Sequence, residues 1–344
     1  MVKRAKKDKG KRPSMQDVAD LAGVSKTTVS FVINQVPGSS IPPETQERVW
    51  NVVRDLNYRP NLMARSLRRQ RSHTIGFISD RVATTPYAGL MIQGAQDAAW
   101  QQEMILLLVN TEGDPELESA AVNMMLDRQV EAIIYASMYH RPVAPPEAML
   151  QVPAVLLDCY CEDRSLPSVV PDEIQGGRDA TEALLRKGHR RIGFINSVDA
   201  IPAKFGRLEG YKQALEAFGV AYDKSLVWAD HAEQAGGYRS TLELMRRPDP
   251  PTALFCFNDR TAMGAYDALR KLSLSIPEDV AVIGFDNHEI IAAHLYPSLS
   301  TMQLPHHEMG LWAANHVIDQ AHGMGNEQPI QHKIECSLIN RESI

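Results

Sequence analysis

Long apolar runs are missing from this 344-residue chain, and none approaches the roughly 18 to 20 residues that a membrane-spanning helix needs. The opening segment, MVKRAKKDKGKRPS, has no apolar stretch behind its charges, so it does not read as a secretory signal. Cysteine is scarce. Cys159, Cys161, Cys256 and Cys336 stand in apolar or strand-like text, and the Cys159-x-Cys161 pair has neither a second pair nor a histidine cluster to complete a zinc site. Buried free thiols in a reducing cytoplasm are the expectation. Signatures of catalysis are absent too: there is no nucleophile elbow, phosphate loop or G-x-G-x-x-G. The adjacent His306 and His307 point to different faces, and neither they nor His288 belong to a ligand triad, so no metal, cofactor or enzymatic activity is expected.

What the chain does have is a lopsided charge. The net value of −6 would argue against a polyanionic partner, but residues 1–71 carry fifteen Lys/Arg against six Asp/Glu, and the remainder carries 21 against 36. A basic head on an acidic body suggests a module aimed at nucleic acid. Residues 1–13 are basic and aperiodic, and read as a disordered tail. From Ser14 the pattern changes. Ser14 and Asp17 form a capping-box-like start, Val18, Ala19, Leu21 and Ala22 supply an apolar face, and Gly23 stops the helix. Ser25 then caps a second helix with Val29, Val32 and Ile33 turned inward, and Pro43 opens a third with Val49, Val52, Val53 and Leu56. Two short helices joined by Ala22-Gly23-Val24-Ser25 have helix-turn-helix spacing. The second exposes Lys26, Thr27, Ser30 and Asn34, groups suited to a major groove. After Tyr58-Arg59-Pro60-Asn61, the phrase Leu62–Arg69 sets Leu67 beside Arg65 and Arg68, an apolar wedge flanked by cations as in minor-groove kinking elements.

The stretches MQDVADLAGVSKTTVSFVINQ, ERVWNVVRDLNYRPNLMARSL, LLRKGHRRIGFI and IPEDVAVIGFDN resemble the lactose-repressor (LacI/GalR) family of bacterial transcription regulators, from Ser14 onward and in order. That resemblance implies a homodimer on a palindromic double-stranded DNA operator, with recognition helices in successive major grooves. It implies paired hinge helices that push Leu67 into the minor groove, with Asn61 and Ala64 facing DNA. By motif position Lys26, Thr27 and Phe31 fall where relatives read bases, and Ser25, Thr28, Ser30 and Asn34 where they touch phosphates. Phe31 departs from the polar residue common there. It can meet a thymine methyl but cannot make the two-pronged arginine–guanine contact.

From Thr74 short apolar strands alternate with amphipathic helices: strands near 74–79, 104–109, 132–136, 154–157, 191–195, 253–257 and 279–285, helices near 89–101, 115–128, 175–187, 205–218, 236–246, 261–271 and 308–320. Strands apolar throughout, with helices between them, indicate doubly wound parallel sheets, and this length suits two. Gly176-Gly177 reads as turn chemistry opening a helix. Asp80, Asn110, Asp158, Asn196, Asn258-Asp259 and Asp286-Asn287 stand at or just past strand ends, where open sheets bind ligands. Each alone could be a helix cap; together they suit a polyhydroxylated ligand.

The expected architecture is an all-α helix-turn-helix head with a hinge helix, joined to a two-subdomain α/β body like type I periplasmic binding proteins. The assigned segments are a tail (1–13), a head (14–59), a hinge (60–71), an N-subdomain (72–170 and 297–327) and a C-subdomain (171–296 and 328–344). Resemblance assigns Arg207 as an effector-clamping arginine, Asn258, Asp286 and Asp158 as hydroxyl-binding positions, Tyr87 as cleft wall and Phe205 as a stacking face. Ile201 and Ala203 stand where purine-responsive relatives carry polar residues, and Ala232 where an aromatic is common, which favours a mono- or oligosaccharide effector. A nucleobase or a protein corepressor is the alternative within the family. A sugar-binding transport protein would need an export signal and no DNA head, and a sugar-modifying enzyme would need an acid/base pair with a nucleophile or phosphate cradle. The chain ends without an apolar heptad tail, so a dimer, cytoplasmic and without membrane contact, is expected.

Overall fold

The computed structural model describes residues 13–36, 38–58, 71–85, 88–324 and 328–344. The chain divides into two compact units after Ser72. Residues 1–12 of the tail, the hinge residues Asn61, Ala64, Arg65, Leu67 and Arg68, and the proposed wall residue Tyr87 lie outside the described residues.

In the first unit, α1 (Met15–Ala22), α2 (Lys26–Ile33) and α3 (Pro43–Asp55) surround a core of Val18, Ala19, Ala22, Val29, Val32, Val49 and Tyr58. The capping box at Ser14 forms in both directions: the Ser14 amide donates to the Asp17 carboxylate at 2.7 Å, and the Asp17 amide donates to the Ser14 hydroxyl at 3.3 Å. Gly23 ends α1 in the left-handed region, with φ 65°. Arg48 on α3 donates to the Ala22 carbonyl at 2.8 Å, satisfying an end carbonyl of α1. Leu21, expected in this core, is 60% exposed. At about 100° per residue, Val18, Ala19 and Ala22 centre the buried face roughly 110° away from it.

The second unit holds two six-stranded sheets. The first contains β1 (Thr74–Ser79), β2 (Ile105–Asn110), β3 (Ala132–Pro142), β4 (Ala154–Tyr160) and β5 (Ser168–Pro171), and the second β6 (Ile192–Ser197), β7 (Val227–Asp230), β8 (Ala253–Cys256), β9 (Ala281–Asp286) and β10 (Ser300–Gln303). The remaining two strands are divided between them: β11 (Gln331–Ile334) lies against β5, and β12 (Ser337–Ile339) against β10. The orders are β11-β5-β4-β3-β1-β2 and β12-β10-β9-β8-β6-β7, parallel throughout except for β12. The strand order reverses between β1 and β3 and between β6 and β8, the switch points where such sheets open a crevice. The helices are α4 (Gly89–Gln101) and α5 (Pro115–Asp127), then α6 (Glu173–Arg186), α7 (Pro202–Ala217), α8 (Gln234–Met245), α9 (Asp259–Lys271), the short α10 (Glu289–Ala292) and α11 (His306–Ala321).

Glycine sets the helix pairing. On α4 and α11, a Cβ at Gly94 would sit 2.0 Å from the His307 carbonyl, and one at Gly310 2.0 Å from the Met91 carbonyl. The same reciprocal crossing joins α6 to α7 through Gly177 and Gly210, and α8 to α9 through Gly237 and Gly264. Gly177 is therefore a close-approach residue inside a helix, not a turn residue.

The chain crosses between the sheets three times, after β5, after β10 and after β11. The expected exchanges at 296/297 and 327/328 are displaced, because β10 belongs to the second sheet and β11 to the first. The crossings lie side by side, since Pro171 pairs with Ile334 and Gln303 with Ser337. Gln175 clamps them, donating to the Cys336 carbonyl at 3.0 Å and accepting from its amide at 2.7 Å.

Candidate effector cleft and DNA-reading helix

Aspartate ends β1. Asp80 accepts from the Ser137 hydroxyl at 3.0 Å, the Met138 amide at 2.9 Å and Arg141 at 3.1 Å, which fastens the carboxyl ends of β1 and β3 together. It is a fully used structural group. Asp158, two residues before the end of β4, is different. It is buried, it has φ 57°, and its Oδ1 has no hydrogen-bond partner. Burial pushes its carboxyl well above the usual range, and the neighbouring Glu173, Asp80 and Asp286 push it further against the pull of Arg207. A buried acceptor without a donor costs free energy that a hydroxyl-bearing ligand would recover.

On the other side of the cleft, α6 and α7 cross closely enough for Glu173 and Arg207 to meet. A Cβ at Gly206 would sit 2.6 Å from the Glu173 Cβ, and one at Gly177 2.6 Å from the Arg207 Cα, so glycine at both places makes the approach possible. Arg207 donates Nε to Glu173 at 2.7 Å and Nη2 to the second Glu173 oxygen at 3.4 Å. It also donates Nη1 to the Phe257 carbonyl, and its guanidinium lies 3.6 Å from the Phe285 ring centroid. Asp286 stands 4.0 Å away. The two-pronged edge expected to clamp a ligand is thus occupied by Glu173, a residue that the sequence pattern does not single out. Its position in the first turn of a helix reads in sequence as ordinary dipole compensation.

Asp286, with φ 103°, has its carboxyl pushed up to about 7 by burial, with Arg207 pulling the other way. Asn258 caps α9, accepting from the Thr261 amide at 2.8 Å while its amide donates to the Ala232 carbonyl at 3.1 Å. Its helix-cap role is real, and little of its amide is left over. Asp259 accepts from Thr301 and from the His288 amide, each at 2.6 Å, and so ties the start of α9 to β10 and to the segment after β9. Phe205 is 56% exposed, so it is not a core residue. His140, which no sequence motif marks, extends from the end of β3 against the Tyr160 ring, with its Nδ1 unpartnered. Burial lowers its pKa to about 4 although Glu173 opposes this, so the ring is neutral at physiological pH.

In the first unit, the residues assigned to phosphates are partly occupied within α2. Ser25 Oγ accepts from the Thr28 amide at 3.0 Å and lies 2.9 Å from the Thr28 hydroxyl. Asn34 donates to the Ser30 carbonyl at 2.7 Å. Lys26, Thr27 and Phe31 are exposed, and Thr27 and Phe31 share a face one turn apart.

Residues 72–342 match the family model described as periplasmic binding proteins and sugar binding domain of LacI family, and residues 14–61 match bacterial regulatory proteins, lacI family. The chain is similar to the ribose operon repressor of Escherichia coli K12, at 33% identity over 86% of this chain and 89% of that protein. It is also similar to the transcriptional repressor PurR of Aliivibrio salmonicida, at 29% identity over 96% and 98%. Among solved structures, the transcriptional regulator CelR–cellobiose complex matches at 29% identity with a TM-score of 0.66, over 96% of this chain and all of that one.

Proposed function

Because the chain belongs to the LacI family and is a DNA-binding transcriptional repressor of it, we propose that it acts as a homodimer on a palindromic operator. A small sugar in the cleft between the two sheets then controls its affinity for that DNA. The observation that carries the effector assignment is Asp158, a buried carboxyl with one oxygen lacking a hydrogen-bond partner, among charged neighbours. A mono- or oligosaccharide supplies donors from vicinal hydroxyls, and the exposed Phe205 ring offers an apolar surface for a sugar face. Ribose and cellobiose appear in the names of two similar proteins, which supports a sugar over other small molecules. A nucleobase is the second reading, supported by the end-to-end similarity to PurR.

Dimerisation has a candidate surface in the second unit. Ile105 and Leu108 on the edge strand β2, with Leu117 and Met124 on α5, are exposed apolar side chains. The four cysteines are free and buried, in keeping with a cytoplasmic protein. No helix among the described residues is long and apolar enough to cross a membrane.

In this reading Lys26, Thr27 and Phe31 meet base edges. Ser25, Thr28, Ser30 and Asn34 lie along the phosphates, and Asn61, Ala64, Arg65, Leu67 and Arg68 act at the operator centre. A ligand that prefers the DNA-incompetent arrangement of the two subdomains shifts the equilibrium away from the DNA-competent form. Operator and ligand must then weaken each other by the same factor. Selection from a randomised duplex library tests this. A palindromic sequence should emerge, with binding that falls linearly in log affinity against log salt as counterions are released. Enrichment of no sequence, or salt-independent binding, would refute the operator reading.

A further inference from the structure

We infer that Glu173 sets the charge class of the effector: by holding the guanidinium edge of Arg207, it makes the cleft accept uncharged, hydroxyl-bearing ligands and reject their phosphorylated or carboxylated counterparts. The inference rests on the sugar-effector reading above and adds to it the kind of sugar. An arginine in a ligand cleft is ordinarily the group that recruits an anion, because its planar fork matches two oxygens. Here that fork is taken. Nε and Nη2 face the two Glu173 oxygens at 2.7 and 3.4 Å, with both side chains almost fully buried, at 4% and 6% exposure. Nη1 is engaged by the Phe257 carbonyl, and the guanidinium lies near two aromatic rings, with Phe285 at 3.6 Å and Phe257 at 4.5 Å.

The rest of the cleft repels anions as well. The second ion pair, Arg141 with Asp80, is closed on itself at 3.1 Å. Two further carboxyl groups remain, Asp158 with an unpartnered oxygen and Asp286 at 4.0 Å from Arg207. Both carboxyl groups are raised by burial, so each exchanges hydrogen bonds with a ligand hydroxyl in either protonation state, and a phosphate or carboxylate meets like charge at Asp286 once that group ionises. His140, neutral by burial, supplies no compensating positive charge. A single added negative charge about 6 Å from Asp286, once that carboxyl has ionised above about pH 7, weakens binding roughly a hundredfold at an effective dielectric near 20.

The test is a thermal-shift and calorimetric screen of the full chain against matched sets: ribose, glucose, galactose and cellobiose, the 6-phosphates of glucose and galactose, ribose 5-phosphate, and glucuronate and galacturonate. The expected result is binding by one or more neutral members, with every acidic counterpart at least tenfold weaker. In Glu173→Gln, which removes the carboxylate bonded to Arg207 and leaves only Asp286 at 4.0 Å, the gap between a neutral sugar and its acidic counterpart should narrow at least fivefold. An acidic member that binds wild-type protein as well as its parent overturns the inference and leaves the sugar reading standing. So does an undiminished gap in a folded Glu173→Gln protein. Should that variant not fold, the wild-type comparison decides by itself. If nothing in the set binds, the sugar reading itself falls, and the inference with it.

Discussion

Replacing Asp286 by asparagine should stabilise the unliganded body, and by an amount that grows with pH. The side chain is 13% exposed, its backbone is held at φ 103°, and its carboxyl is pushed up to about 7 from an ordinary 3.8 because burial outweighs the pull of Arg207. A carboxyl whose pKa is higher folded than unfolded contributes stability that is fully present below the unfolded value and is lost as pH rises through the folded one. The loss therefore falls between about pH 4 and pH 7. A carboxyl raised that far costs about 4 kcal/mol at the upper plateau. Asparagine keeps the shape and cannot ionise, so the stability difference between Asp286→Asn and wild type should increase by about 2 kcal/mol from pH 5.5 to pH 8, then stay flat. Urea denaturation of both proteins without ligand, at closely spaced pH values, measures it. A difference that does not change with pH, or a variant less stable than wild type at pH 8, would show that Arg207 governs this carboxyl and burial does not. Ligand affinity in the variant should fall at every pH, since a site group that costs stability is retained for what it binds.

Three other outcomes are expected. Gly210→Ala places a Cβ 2.1 Å from the Ile174 carbonyl and 2.4 Å from the Arg178 amide, so α6 and α7 must part; thermal unfolding should show a loss of about 3 kcal/mol or more, and a loss under 1 kcal/mol would mean that the crossing is soft. Phe31→Arg should change the preferred base at one symmetric position of the selected operator from thymine to guanine, and replacing that thymine by deoxyuridine should weaken wild-type binding roughly fourfold per half-site; an unchanged selection profile removes Phe31 from base reading. Leu67→Ala should reduce operator bending and specific affinity while leaving effector affinity as it was, read by fluorescence energy transfer across the site, and unaltered bending rejects the wedge.

Much of the architecture is visible in the residue pattern because fully buried parallel strands are apolar from end to end. β1 lies where the run Thr74–Ser79 puts it, and α4 matches the periodicity of Gly89–Gln101. The strands that escape are short and lie at or near sheet edges. β11 reads Gln-His-Lys-Ile, with one face open to solvent, and its place in the first sheet is fixed by a partner some 160 residues earlier in the chain. No local signal carries that pairing, which is why the exchanges between subdomains fall away from the expected positions. The cleft divides in the same way. Strand-end aspartates announce themselves by position, and Asp158 and Asp286 are legible in that way. Glu173 announces itself only through Arg207, 34 residues on, and through the glycines that bring two helices together. Leu21 shows the limit of assigning a face to an eight-residue helix, where two turns leave its edges undecided.

The side-by-side crossings have a mechanical meaning. Two bodies joined by one covalent strand can swivel about it in any direction. Three adjacent strands, laced by the Pro171–Ile334 and Gln303–Ser337 pairings and by Gln175 against Cys336, resist torsion and permit bending chiefly about one line. Such a joint removes degrees of freedom before any ligand arrives. Whatever differential free energy an effector has for the two subdomains is then spent along a single rotation, and little is dissipated among many small ones.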